Sequence, residues 1–195
     1  APKPEPKAEI DQLPVTRHRV KVGRKTLAYT ATCGTILLHE ESEKEGKHEG
    51  HKPRARVFFV AYTLDDVADR ASRPLTISFN GGPGSSSVWL HLGPLGPKRV
   101  HLDDEGHTAG PPGHLVDNDY TLLDRTDLVF VDPVGTGFSR MLEGEKVKEY
   151  HEYQRDLESV GAFIRVYCSR YGRWSSPKYL IGESYGTTRA AGLAG

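Results

Sequence analysis

The residues best suited to chemistry are Gly182-Glu-Ser-Tyr-Gly186. A serine with glycine two places before and two after it, set between the apolar Lys178-Tyr-Leu-Ile181 and a stretch able to form a helix from Tyr185, suits an abrupt strand-to-helix turn. Such a turn lifts the hydroxyl above a sheet edge, where it can attack an acyl carbon. A Gly/Ser turn with no chemistry would satisfy the same five residues. A second segment decides between the two readings. Leu75-Thr-Ile-Ser-Phe79 runs directly into Asn80-Gly-Gly-Pro-Gly-Ser-Ser-Ser87, a strand followed by a glycine-rich loop. Attack by a serine creates a tetrahedral oxyanion that needs preorganised N–H donors, and glycines let the backbone turn its N–H groups inward. One donor comes from the residue after the nucleophile and one from an upstream loop, which makes Tyr185 and Gly82 the candidate pair. An anion- or dinucleotide-binding loop is the alternative, but neither G-x-G-x-x-G nor G-K-[ST] occurs in the chain.

Other groupings carry less. His151-Glu-Tyr-Gln-Arg155 begins like a zinc-binding H-E-x-x-H helix yet places Arg155 at the second ligand position, so a solvated helical charge pattern fits better. His39, His48 and His51 lie among glutamates in a Gly- and Lys-rich stretch that offers no rigid metal geometry. No metal and no cofactor is expected. Trp89 can line a substrate pocket, although core packing is the favoured role for a lone aromatic. Cys33 and Cys168 allow at most one bridge, and two buried free thiols are favoured.

These groups need a scaffold, and the pattern supplies one. Residues 1–14 hold four prolines among mixed charges, the composition of an extended arm without a fold. Residues 15–195 read as the N-terminal part of an α/β domain. His18–Val22 and Leu27–Ala31 flank Gly23 as a candidate hairpin, and Val57–Tyr62 is β-branched and aromatic enough for a third strand. Between them the charged span from Glu40 to Arg56 reads as a solvated loop. Leu75–Phe79 and Asp127–Val131 are short buried strands, each entering a Gly/Pro-rich loop. A helix is expected from about Val147 to Tyr171, with one apolar face at Tyr153, Leu157, Val160, Ile164, Tyr167 and Tyr171. Strand, loop, helix, strand, sharp turn, helix is the alternation of a parallel sheet, in which function gathers at the carboxyl ends of the strands. The 26 Lys and Arg cancel the 26 Asp and Glu, which removes the electrostatic case for nucleic acid. No apolar run approaches the roughly 18 residues of a membrane span.

Asn80-Gly-Gly-Pro-Gly-Ser-Ser-Ser87, Leu92-Gly-Pro94, Val131-Asp-Pro-Val-Gly-Thr-Gly-Phe-Ser139 and Gly182-Glu-Ser-Tyr-Gly186 together resemble the serine carboxypeptidase family of α/β-hydrolases, in the family's order, over about Leu75 to Gly195. The resemblance implies an α/β-hydrolase sheet that opens with an antiparallel hairpin and continues with parallel strands and helices, incomplete within this chain. It implies hydrolysis of C-terminal peptide bonds through an acyl-enzyme on Ser184, with Gly82 and Tyr185 as the oxyanion hole. It also implies that Asn80, Gly81 and Glu183 bind the free carboxylate of a peptide substrate; a protonated Glu183 would donate a hydrogen bond to it, whereas an ionised one would repel it.

Three departures stand out. Ser85 replaces a cysteine that many members use in a bridge, His91 stands where many have a glutamate before Leu-Gly-Pro, and Asp132-Pro133 is one residue shorter than the common Asp-x-Pro form. A cationic His91 would bind the substrate carboxylate directly; a loop histidine with no substrate contact is the equal alternative.

A serine triad needs a base and an acid, and in this fold both follow the serine. The stretch after Ser184 contains neither, and all nine histidines precede it. The expectation is therefore the N-terminal portion of a longer enzyme, inactive alone, whose partners are its substrate peptides and the rest of its catalytic domain. The family is often exported, so a secreted, periplasmic or vesicular setting is implied. A related acyltransferase or esterase of the same fold and a non-catalytic binding protein are the alternatives.

Overall fold

The computed structural model describes residues 13–44, 47–108, 110–143, 150 and 152–195. In chain order its elements are β1 (Val15–Val22), β2 (Lys25–Lys44), β3 (Lys47–Leu64), β4 (Leu75–Phe79), the single helical turn α1 (Val88–Leu90), β5 (Lys98–Val100), β6 (Leu115–Asp117), β7 (Asp127–Val131), β8 (Arg140–Met141), α2 (Tyr153–Arg170), β9 (Lys178–Gly182) and α3 (Tyr185–Ala194). The main sheet has the order β1-β2-β3-β7-β4-β9, and β8 adds to β3. The pairs from β1 to β7 are antiparallel; β7, β4 and β9 are parallel. β5 and β6 form a separate two-stranded ribbon.

β4 and β7 are buried along their whole lengths, as strands covered on both faces must be. Their alternation sorts two cores. Leu75, Ile77, Phe79, Val129 and Val131 face α2 and its Val160, Phe163 and Tyr167. Leu128 and Phe130 face the other way, onto Val20, Tyr29 and Leu123. Thr76 points to that second side, where its hydroxyl meets Thr126 at 2.8 Å, so its polar atom is paired.

Three expectations require correction. Residues 40–44 and 47–56 are strand and not loop, because β2 and β3 continue their pairing in a register that runs from Tyr29↔Leu64 to Lys44↔Lys47. An antiparallel ladder satisfies its backbone whatever the side chains are, and the register sets Glu40 opposite Lys52. Shifts after Leu38 and Ser42 mark where the apolar pattern stops dictating alignment. Leu13 and Pro14 also leave the expected arm: Leu13 packs against the core beside Gly34, and the Pro14 carbonyl accepts from the Cys33 N–H at 3.2 Å. The rest of that arm, residues 1–12, lies outside the described residues.

The third correction concerns α2, which runs from Tyr153 to Arg170; Val147 to Glu149 lie outside the described residues. Its buried face is Asp156, Ser159, Val160, Phe163, Tyr167 and Cys168, rotated from the expected stripe. Two partners share the helix: the sheet takes Val160, Phe163 and Tyr167, whereas Tyr153 and Leu157 lie against Gly192 of α3. Both cysteines are free, Cys168 buried and Cys33 half-buried. No described helix is long and apolar enough to cross a membrane.

Candidate active site

The carboxyl ends of β4 and β9 lie side by side, with Phe79 in register with Gly182, and the two loops that leave them meet. Ser184 is the turning point between β9 and α3, at φ +55° and ψ −127°. A left-handed backbone at a non-glycine residue stores roughly 1–3 kcal/mol of strain and persists only where its surroundings enforce it. Here the enforcement is close packing. A side chain on Gly182 would run into the backbone of Gly186, and one on Gly186 would come 2.8 Å from the Phe79 carbonyl oxygen. The Gly186 N–H donates to the Glu183 carbonyl at 2.8 Å and the Thr187 N–H to the Ser184 carbonyl at 2.9 Å, which starts α3 immediately.

The glycine loop rests on this turn. A Cβ on Gly81 would stand 2.5 Å from the Tyr185 nitrogen and 2.7 Å from the Glu183 carbonyl oxygen, so only a glycine admits the approach. Gly82 follows at φ +112°. The loop therefore reaches the elbow within van der Waals distance of the Tyr185 N–H, and Gly82 and Ser184 line one cleft.

Asn80 is buried and ties the two loops together. Its Nδ2 donates to Glu183 Oε2 at 3.2 Å, and its Oδ1 accepts from the Leu90 N–H at 3.1 Å. Asn80, Gly82, Ser85, Trp89, Leu90, Glu183 and Ser184 enclose a cleft of about 540 Å³. Trp89 is 71% exposed and forms a wall of this cleft, contrary to the core role expected for it. The expected cysteine position is filled by Ser85, which also faces the cleft.

His91 is not brought to the cleft with the others. Its Nε2 lies 2.6 Å from the Tyr62 hydroxyl, and its ring stacks on Phe130 at 4.6 Å. Burial lowers its imidazole from about 6.5 to about 4, so the ring is neutral near pH 7 and offers no cation to a substrate carboxylate. Among the described residues no group of three or more His, Cys, Asp or Glu is arranged to hold a metal ion. His48 and His151 have side chains outside the described set.

Sequence reasoning missed three side chains that brace the site. Asp132, buried at the end of β7, accepts from the Ser87 N–H at 2.8 Å and the Ser87 hydroxyl at 3.0 Å through Oδ1, and from the Phe138 N–H at 3.1 Å through Oδ2. It joins the Asp-Pro loop to the glycine loop without needing the residue by which that segment is short. Arg189 and Asp156 form a buried ion pair behind the elbow, with Nε to Oδ2 at 2.8 Å. The available signal was Arg189 itself, the one charge in an otherwise small, uncharged helix.

Residues 47–194 match the serine carboxypeptidase family. The chain belongs to that family. Pheromone-processing carboxypeptidase KEX1 of Saccharomyces cerevisiae is 30% identical to it over 178 residues, covering 82% of this chain and 23% of KEX1. Serine carboxypeptidase-like 36 of Arabidopsis thaliana is 33% identical over 137 residues, covering 69% of this chain and 26% of that protein. The crystal structure of the prohormone-processing carboxypeptidase KEX1(delta)p from Saccharomyces cerevisiae matches the fold with a TM-score of 0.62 at 27% identity, over 85% of this chain and 33% of that one. The chain spans about a quarter of the length of these curated relatives. Its mixed sheet with strand, elbow and helix is that of the α/β-hydrolase fold, as the resemblance implied.

Proposed function

We propose that this serine carboxypeptidase family chain carries the nucleophile, oxyanion hole and carboxylate-binding groups of an enzyme that releases C-terminal residues from peptides. The observation that supports it most is the close approach of Gly81 to the Tyr185 nitrogen, together with the cleft that Gly82 and Ser184 line. In this reading Ser184 Oγ bonds to the carbonyl carbon of the last peptide bond while its proton passes to a base. The tetrahedral oxyanion takes hydrogen bonds from the Gly82 and Tyr185 N–H groups. The C–N bond then breaks, the protonated amine leaves as a free amino acid, and water hydrolyses the Ser184 ester. Asn80, Gly81 and Glu183 receive the substrate's terminal carboxylate, with Asn80 and Glu183 already bonded to each other. In this reading His91, bonded to Tyr62 and stacked on Phe130, takes no part in that set.

None of the described residues lining the cleft is a histidine. The proposal assigns the general base, and the acid that orients it, to the part of the family's length that this chain does not span. An exported or vesicular setting is part of the same proposal and rests on the family alone. The test uses protein of full family length with a blocked dipeptide acid and the matching amide. Release of the C-terminal residue from the acid, a much slower reaction of the amide, and loss of turnover by about 10³-fold or more in Ser184→Ala are expected. Equal rates on acid and amide would favour an esterase or acyltransferase instead, and turnover that survives Ser184→Ala would overturn the assignment.

A further inference from the structure

Arg189 is completely buried, and each of its guanidinium nitrogens has a partner. Nε and Nη2 donate to the two oxygens of Asp156 on α2, at 2.8 and 3.1 Å. Nη1 donates to the backbone carbonyl of Asn80 at 2.8 Å. The same guanidinium lies 5.1 Å from the centre of the Phe79 ring and 5.2 Å from that of Tyr185. One side chain therefore holds the last residue of β4, the first residue of the glycine loop and the residue after the nucleophile.

Stability alone gives little reason for this arrangement. Two charges taken from water lose their hydration, and well-packed apolar residues in their place are often neutral or stabilising. A bidentate guanidinium does provide direction, because its planar fork is fixed relative to the carboxylate it grips. Here the fork is fixed by α2 and its third arm is aimed at the Asn80 carbonyl, two residues before Gly82. Misplacing a reacting group by about 1 Å costs on the order of 10²-fold in rate, so the spacing between Gly82 and Tyr185 is worth holding.

We propose that Arg189, oriented by Asp156, is a positioning residue that fixes the glycine loop against the nucleophile turn and so sets the spacing of the oxyanion donors. This rests on the reading of Ser184 as an acyl nucleophile. Oxyanion contacts are made only in the transition state, so the expected signature is in kcat and not in KM.

The experiment uses protein of full family length and the variants R189M, R189K and D156N. Three quantities are measured: kcat and KM on a dipeptide acid, the rate of Ser184 labelling by a fluorophosphonate, and the thermal midpoint. R189M is expected to lower kcat and the labelling rate together by roughly 10- to 100-fold with KM within about twofold. R189K, which keeps the charge but not the fork, should fall between R189M and the parent. If R189M does not fold, R189K and D156N carry the test. A lowered thermal midpoint with kcat and labelling within about twofold of the parent would show a purely structural pair and overturn the proposal. Should the parent label at Ser184 yet cleave no peptide, the carboxypeptidase reading fails while the labelling rates still judge Arg189. If the parent does not label, both fail.

Discussion

Acid should unfold this domain in part through His91. Its imidazole is lowered from about 6.5 to about 4 by burial, with Tyr62 on its Nε2 and Phe130 against its face. Because the folded value lies below the unfolded one, the unfolded chain binds an extra proton between about pH 6.5 and pH 4. The contribution is therefore complete above pH 6.5 and is lost as pH falls toward 4. A gap of about 2.5 pH units at 1.36 kcal/mol each corresponds to at most about 3 kcal/mol, with a slope near 1.4 kcal/mol per pH unit inside the window. Urea unfolding of the parent and of His91→Gln from pH 4 to 7.5 measures it, since glutamine can still bond Tyr62 but does not titrate. The difference between the two curves should be constant above pH 6.5 and shift by up to about 3 kcal/mol in favour of the variant by pH 4. Parallel curves, or a ring-proton NMR titration of His91 with its midpoint near 6.5, would refute the reasoning.

Two further outcomes follow from buried geometry. Asp127 accepts from Arg73 Nε at 2.7 Å, Arg173 Nη1 at 2.6 Å and the Leu64 N–H at 3.0 Å, so Asp127→Asn leaves two poorly solvated guanidinium groups without their anion. Its cost should be about 3–5 kcal/mol by denaturant unfolding. Gly186→Ala would place a methyl 2.8 Å from the Phe79 carbonyl oxygen; the expected loss is roughly 1–3 kcal/mol together with Ser184-dependent turnover, and a stable, active variant would contradict the packing described.

The elements nearest the chemistry were the most legible, because their sequences leave few choices. A strand ending in Gly182-Glu-Ser-Tyr-Gly186 can turn only where both glycines permit it, and the apolar runs of β4 and β7 fit a sheet covered on both faces. Legibility failed where backbone pairing overrides side-chain character, as in the charged ends of β2 and β3. It failed again where a residue's partner is distant in sequence. Asp156 sat unread beside an apolar stripe because Arg189 lies 33 residues away, and Asp132 because its partners are on the glycine loop. His91 and Trp89 exchanged roles for a related reason: only the three-dimensional loop decides which of two nearby rings faces inward.

The sheet's strand order also bears on how the molecule forms. β1, β2 and β3 are joined by near neighbours in the chain and can pair by short closures, whereas β4 must find β9 across a separation typified by the 103 residues between Asn80 and Glu183. Closing longer loops costs more entropy before any contact repays it, so the parallel pairing is expected to form more slowly than the antiparallel one. The nucleophile turn and the glycine loop hang from those last two strands. The antiparallel half can thus form before the two loops of the candidate site meet, so amide protection in β4 and β9 is expected to appear later than in β1 to β3.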